Sequence, residues 1–124
     1  MSPRHVPATV HELTRVELLS GLPGEQLATL ASRLEREDVQ PGQTVVRQGE
    51  PGDRFYVVLA GMMSVSQEGF GERGVLRPGD TFGEVALAMN VPRTASVRAV
   101  TPAVVASCDR ETFDELLRPL VADE

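Results

Sequence analysis

A carboxylate and a guanidinium, Glu84 and Arg93, are the only charged side chains in the segment FGEVALAMNVPRTAS from Phe82 to Ser96. Arginine presents a planar donor fork that grips a phosphate through two bonds at once, which lysine does not reproduce. A glutamate in apolar surroundings is costly to bury unless donors meet its oxygens. Ligand hydroxyls would serve, with Arg93 as a candidate further partner. Thr94, Ala95 and Ser96 are small, so backbone and ligand can approach closely. The chemistry implied is recognition: a ligand with one anionic group, hydroxyl donors and a larger body needing an apolar wall. The bland alternative is a surface salt bridge between Glu84 and Arg93, and residue types alone leave the two readings open.

Either reading requires elements that bring the two groups together. Gly83 permits a tight turn after the short run Thr81-Phe82, and Glu84 to Met89 has the length and composition of one or two helical turns. The start of such a helix presents unpaired N–H groups and a positive dipole end. A turn at Asn90, Val91 and Pro92 would return Arg93 to the same place. Around this segment, from about Val39 to Cys108, β-like runs (TVVRQ, RFYVVLA, MMSVSQ, SVRAV) alternate with glycine and proline turns about every ten residues, the spacing of an all-β sandwich or barrel. Arg54 to Ala60 is apolar on both faces and suits a strand buried on both sides. No alternation of strands with long helices supports a doubly wound parallel sheet.

Helices flank the β region. Thr9 and Glu12 have capping-box spacing for a helix through HELTRVELL with Leu13, Val16 and Leu19 as its apolar stripe. A second helix begins after Pro23-Gly24, with Leu27, Leu30, Ala31 and Leu34 on one face. The last begins at Asp109 as N-cap and carries Phe113, Leu116, Leu117 and Leu120; Pro119 predicts a stop or kink at Arg118. The expectation is one domain over residues 1–124: helical from about 9 to 35, β-roll from 36 to 108, and a C-terminal helix from 109 to 121.

Composition removes several function classes. Eighteen acids against twelve bases give a net charge of −6, which disfavours a sequence-independent grip on nucleic acid. No apolar run approaches the ~18 residues that span a bilayer, and no signal pattern is visible, so a cytoplasmic location is expected. One cysteine, Cys108, in an apolar run reads as a buried structural thiol. His5 and His11 belong to no ligand cluster, so no metal and no resident cofactor are expected. Gly69 to Gly74 spells G-x-G-x-x-G, but the turn-rich VLRPGD follows instead of a helix, so a hairpin loop is the better reading. No nucleophile motif supports an enzyme.

FGEVALAMNVPRTASVRA resembles the phosphate-binding cassette of cyclic nucleotide-binding domains, whose pattern is F-G-E-x-A-L, a short turn, then P-R-x-A-[ST]. The resemblance extends over nearly the whole chain: GLPGEQLATLA is similar to the helix before the family's β-roll, PGQTVVRQGEPGDRFYVVLAG to its first hairpins, LRPGDTFGE to the approach to the cassette, and DRETFDELL to the helix after the roll. It implies a mainly β fold, an antiparallel jelly-roll-like β-roll with flanking helices, binding cAMP or cGMP without catalysis. Arg93 would pair with the cyclic phosphate and Glu84 accept from the ribose 2′-hydroxyl. Backbone N–H groups near Gly83, Ala86 and Ala95 would complete the cradle, with Phe82 and Val85 beside them. Val65, Leu76 and Ala86 match positions lining the purine side. Glycines 42, 49, 52, 61 and 79 fit turn roles.

Thr94 is the position that bears on the base. A threonine there can bond both the phosphate and the guanine amino group of cGMP, whereas alanine is usual in cAMP-selective kinase subunits. Yet cAMP-responsive channels keep the threonine. The expectation is cAMP ahead of cGMP, since cAMP is the commoner ligand of the family in bacteria and the Arg, Ala and Val usage has a bacterial character. Family members usually carry a further lid helix after DRETFDELL, for which the residues beyond Pro119 are too few. The chain is therefore expected to be an excised regulatory module, or a small protein whose lid is missing or supplied by a partner. Its partners would be a cyclic nucleotide and an effector outside this chain, with no direct nucleic acid, no membrane segment, and homo-oligomerisation left open. Two alternatives are a degenerate member acting in protein interaction with an empty pocket, and a fragment of a catabolite-activator-type transcription regulator.

Overall fold

The computed structural model describes residues 10–121. Among the described residues, eight strands form two four-stranded antiparallel sheets. They are β1 (Glu35–Val39), β2 (Thr44–Val46), β3 (Arg54–Ala60), β4 (Met63–Gln67), β5 (Gly71–Leu76), β6 (Thr81–Phe82), β7 (Ser96–Ala99) and β8 (Ala103–Asp109). The sheet orders are β1-β8-β3-β6 and β2-β7-β4-β5, an antiparallel β-roll with helices packed on the first sheet.

The central strand β3 explains its own composition. Phe55 and Val57 point into a core shared with the helices, while Tyr56 and Val58 point into a second core between the sheets. A strand used on both faces reads as a continuous apolar run. Cys108 on β8 lies in the first core, where burial pushes its thiol up to about 12, so it is a small hydrophobe and not a nucleophile. Gly69 and Phe70 lie in the turn between β4 and β5, and Gly71 to Gly74 lie within β5, so the G-x-G-x-x-G run is a hairpin.

The N-terminal region departs from the expected single helix. Among the described residues of this region, α1 (Val10–Leu13) is the α-helical part, and a 3-10 turn (Glu17–Gly21) follows after a break. The reason is in the stripe itself. Leu13, Val16 and Leu19 recur every three residues, which is the 3-10 repeat, and i→i+3 bonds run along them: Val16 N to Leu13 O, Leu19 N to Val16 O and Leu22 N to Leu19 O, each 3.0 Å. All three side chains are fully buried. Thr9, the expected cap, lies outside the described residues, as does His5; Glu12 instead pairs with Arg36 at 2.6 Å. Helix α2 (Gly24–Arg33) follows its pattern, burying Leu27, Leu30 and Ala31, with Leu34 buried just beyond its end.

The C-terminal segment corrects a second expectation. After α4 (Arg110–Thr112), capped by the Asp109 carboxylate accepting from Thr112 N at 2.9 Å, the chain forms a π-helical turn (Phe113–Leu117) and continues as α5 (Arg118–Val121). Arg118 remains right-handed helical at φ −54°, ψ −41°, and its N–H reaches back five residues to Phe113 O. Proline removes an i→i−4 bond and crowds the carbonyl four residues earlier. The wider π turn just ahead of Pro119 relaxes that spacing, so the helical path passes through it.

This segment is tied to the short helix α3 (Glu84–Met89). Arg118 donates to the terminal carbonyls of α3, Ala88 O and Leu87 O, both at 3.1 Å, and to Asp114 at 2.7 Å. A cation at a helix C-terminus satisfies both orphan carbonyls and dipole. Arg118→Ala is expected to destabilise the domain by about 1–2 kcal/mol and to speed amide exchange in α3 more than in β3, which hydrogen-exchange mass spectrometry resolves.

Candidate ligand-binding site

The cassette segment begins where β6 ends. Gly83 sits at φ 96°, and a Cβ there would lie 2.8 Å from both Arg54 O and Arg93 Nη1, so only glycine fits, by conformation and by space. Helix α3 starts at the next residue and ends at Met89, and Asn90 just beyond it, with a left-handed φ of 56°, reverses the chain. Arg93 then returns, as its position predicts. Its backbone forms a two-bond ladder with the loop after β2: Arg93 N to Glu50 O and Gly49 N to Arg93 O, each 2.9 Å.

The Arg93 side chain is 7% exposed. Its Nη2 donates to Arg54 O at 3.0 Å, Nη1 makes a long contact with Gly83 O at 3.5 Å, and the guanidinium carbon lies 5.8 Å from the centre of the Tyr56 ring. Tyr56 in turn stacks on Phe82 at 4.7 Å with rings nearly parallel. Among the described residues no carboxylate is paired with Arg93. Burial pulls the guanidinium below the usual arginine value, with Tyr56 and Asp53 opposing from nearby. Burying a cation among neutral carbonyls is costly unless an opposite charge completes its pairing.

Glu84 is the second unsatisfied group. Its Oε1 is buried without a hydrogen-bond partner, and burial pushes the carboxyl up, partly offset by its own backbone N–H. The alternative of a Glu84–Arg93 salt bridge is not realised, nor is Arg93 a partner of Glu84: Arg93 is turned to the carbonyls of β3 and Gly83 instead.

Both groups line one cavity of about 210 Å³, as do Phe82, Gly83, Val85, Ala86, Thr94, Ala95, Val65 and Leu76. The structure thus brings all ten sequence-selected residues to one wall. Sequence reasoning missed Val46, Thr81 and Val97. Val46 faces Val97 across β2 and β7, and Val97 faces Val65 across β7 and β4, so a single register row makes an aliphatic floor. The strand runs containing these valines were visible, but the pairing that aligns them was not. Outside the walls, Gln67 Nε2 donates to Thr94 O at 3.0 Å and Ser96 Oγ accepts from Gln48 N at 2.9 Å, pinning the segment after Arg93.

Fold and site define a β-roll domain with a cavity lined by a buried guanidinium and a buried carboxylate oxygen. The sequence model of the cyclic nucleotide-binding domain matches residues 36–119. A cAMP-dependent protein kinase regulatory subunit from Debaryomyces hansenii is 38% identical over 109 residues, 88% of this chain and 24% of that protein. The regulatory domain of Toxoplasma gondii PKA, solved with cAMP, superposes with a TM-score of 0.86 at 32% identity, covering 90% of this chain and 45% of that one. The regulatory subunit of a cAMP-independent protein kinase A from Trypanosoma brucei superposes with a TM-score of 0.84 at 30% identity, covering 91% of this chain and 43% of that one. That structure is a triple variant bound to cAMP in its A site, with glutamate changed to alanine, threonine to arginine seven positions on, and the following valine to alanine. This chain belongs to the cyclic nucleotide-binding domain family. It spans about a quarter of the length of its curated relative and less than half of these two solved chains.

Proposed function

We propose that the domain senses a cyclic nucleotide, cAMP ahead of cGMP, holding the cyclic phosphate on Arg93 and the ribose 2′-hydroxyl on Glu84. The observation that carries this is the buried Arg93 guanidinium with no carboxylate partner, facing the same cavity as a carboxylate oxygen with no donor. Of the five guanidinium N–H groups, carbonyls use two at most, which leaves donors for a phosphate. A hydroxyl is the complement Glu84 lacks. The aliphatic floor of Val46, Val65, Leu76 and Val97 suits the flat base.

The T. brucei variant bound to cAMP lends support, because Ala86 and Arg93 stand at the same seven-residue spacing as its introduced alanine and arginine. Thr94, next to Arg93, leaves cGMP admissible. Kinship with cAMP-dependent regulatory subunits favours cAMP. The ligand reaches α3 first, and the Arg118 bonds pass its displacement to the C-terminal segment and from there to an effector outside this chain. Chemical-shift mapping of a cAMP titration tests the assignment. The expected result is perturbation centred on Gly83–Met89, Arg93–Ala95 and β4; perturbation confined elsewhere overturns it.

A further inference from the structure

Gly52 does not share the reason that the turn glycines have for being glycine. Gly42, Gly49, Gly61 and Gly79 hold positive φ; Gly52 does not. Its constraint is space. A Cβ on Gly52 would lie 2.8 Å from Arg93 Nε, 2.9 Å from Arg93 Cζ and 2.7 Å from the Ala86 Cβ. Distances under 3.0 Å are not met by real Cβ atoms, so something must move. The loop cannot simply withdraw. Arg93 and Gly49–Glu50 are joined by the two-bond backbone ladder, and the Gly52 carbonyl is held from the other side by Arg110 Nη2 at 3.1 Å. Of the atoms in contact, the Ala86 Cβ is fixed to the α3 backbone, and the Arg93 guanidinium is the one with side-chain freedom to move.

We infer that Gly52 is a positioning residue of the anion site: its bare α-carbon forms the slot in which the Arg93 guanidinium lies, and it sets where that fork meets the ligand without lining the cavity itself. With Gly83 on the opposite side, where a Cβ would stand 2.8 Å from Nη1, the fork is held between two glycines. Preorganised donors of this kind lose little entropy on binding. Any side chain at 52 shifts the fork away from the position that Arg54 O and the Tyr56 ring define. The inference rests on the anion-site reading of Arg93, and it has a readout that needs no ligand.

The test uses Gly52→Ala in the full chain. In the ligand-free protein, the Arg93 Nε–H resonance, assigned by its loss in Arg93→Ala, is expected to shift, while that of Arg118 Nε–H stays in place. By calorimetry, cAMP affinity falls at least tenfold, adenosine affinity changes less than twofold, and Gly52→Ala adds nothing further in an Arg93→Ala background. An unmoved Arg93 resonance, or equal losses for cAMP and adenosine, overturns the inference. If Gly52→Ala alone does not fold, Gly52→Ala/Arg93→Ala is expected to recover folding; failure to recover assigns the constraint to Ala86 and overturns it as well. A wild-type chain that binds no cyclic nucleotide defeats the proposed function, while the Arg93 resonance still decides the role of Gly52.

Discussion

Arg93→Ala is expected to weaken cAMP binding by about 2–4 kcal/mol, roughly 30- to 1,000-fold, the range for removing one partner of a desolvated charge-assisted pair. The guanidinium is buried, and among the described residues no other cationic side chain lines the cavity to substitute for it. Adenosine, which lacks the phosphate, should lose little. Arg93→Lys keeps the charge but not the fork that Gly52, Gly83 and Arg54 O hold in place, so its affinity should fall between wild type and alanine. Isothermal titration of the three proteins decides this. An Arg93→Ala dissociation constant equal to wild type would show that the phosphate does not meet this side chain.

Glu84→Gln should separate stability from binding. The folded-state carboxyl is pushed above its ordinary value by burial. The folded domain therefore holds that proton more tightly than the unfolded chain. Its contribution to stability is full below the ordinary glutamate value of 4.5 and is lost as pH rises through the raised folded value. At neutral pH the ligand-free protein carries a buried acceptor without a donor, a penalty on the order of 1 kcal/mol or more. Glu84→Gln is thus expected to raise the melting temperature of the ligand-free domain at pH 7, with the gain shrinking toward pH 4. The same change should weaken cAMP more than 2′-deoxy-cAMP. A variant that loses both ligands equally would remove the 2′-hydroxyl from its role.

Much of this was legible because local rules and the fold agree. Helix α2, the doubly apolar β3, the Asp109 cap and the Gly83 turn each follow from residue types over a few positions. Eight of the ten site residues surround the cavity because the cassette is contiguous: the fourteen positions from Phe82 to Ala95 need only one helix and one turn to close on themselves, and Val65 and Leu76 join them from β4 and β5. What escaped depended on distant partners. The Val46–Val97–Val65 row exists only once β2, β7 and β4 are paired in register. Gly52 looked like another turn glycine because nothing local reveals that Arg93 passes beside it. The 3-10 run was written in the spacing of Leu13, Val16 and Leu19, whose repeat of three is easily taken for one edge of a helix. Passage through Pro119 required the π turn ahead of it, which propensity does not announce.

The central claim is that the cavity bounded by Glu84 and Arg93 takes a cyclic nucleotide by its phosphate. Calorimetric titration of the chain with cAMP, run beside adenosine, measures this most directly. Saturable one-site binding of cAMP, far tighter than adenosine, is the predicted result. No heat and no displacement with cAMP or cGMP at millimolar concentration, or equal affinity for cAMP and adenosine, would contradict it.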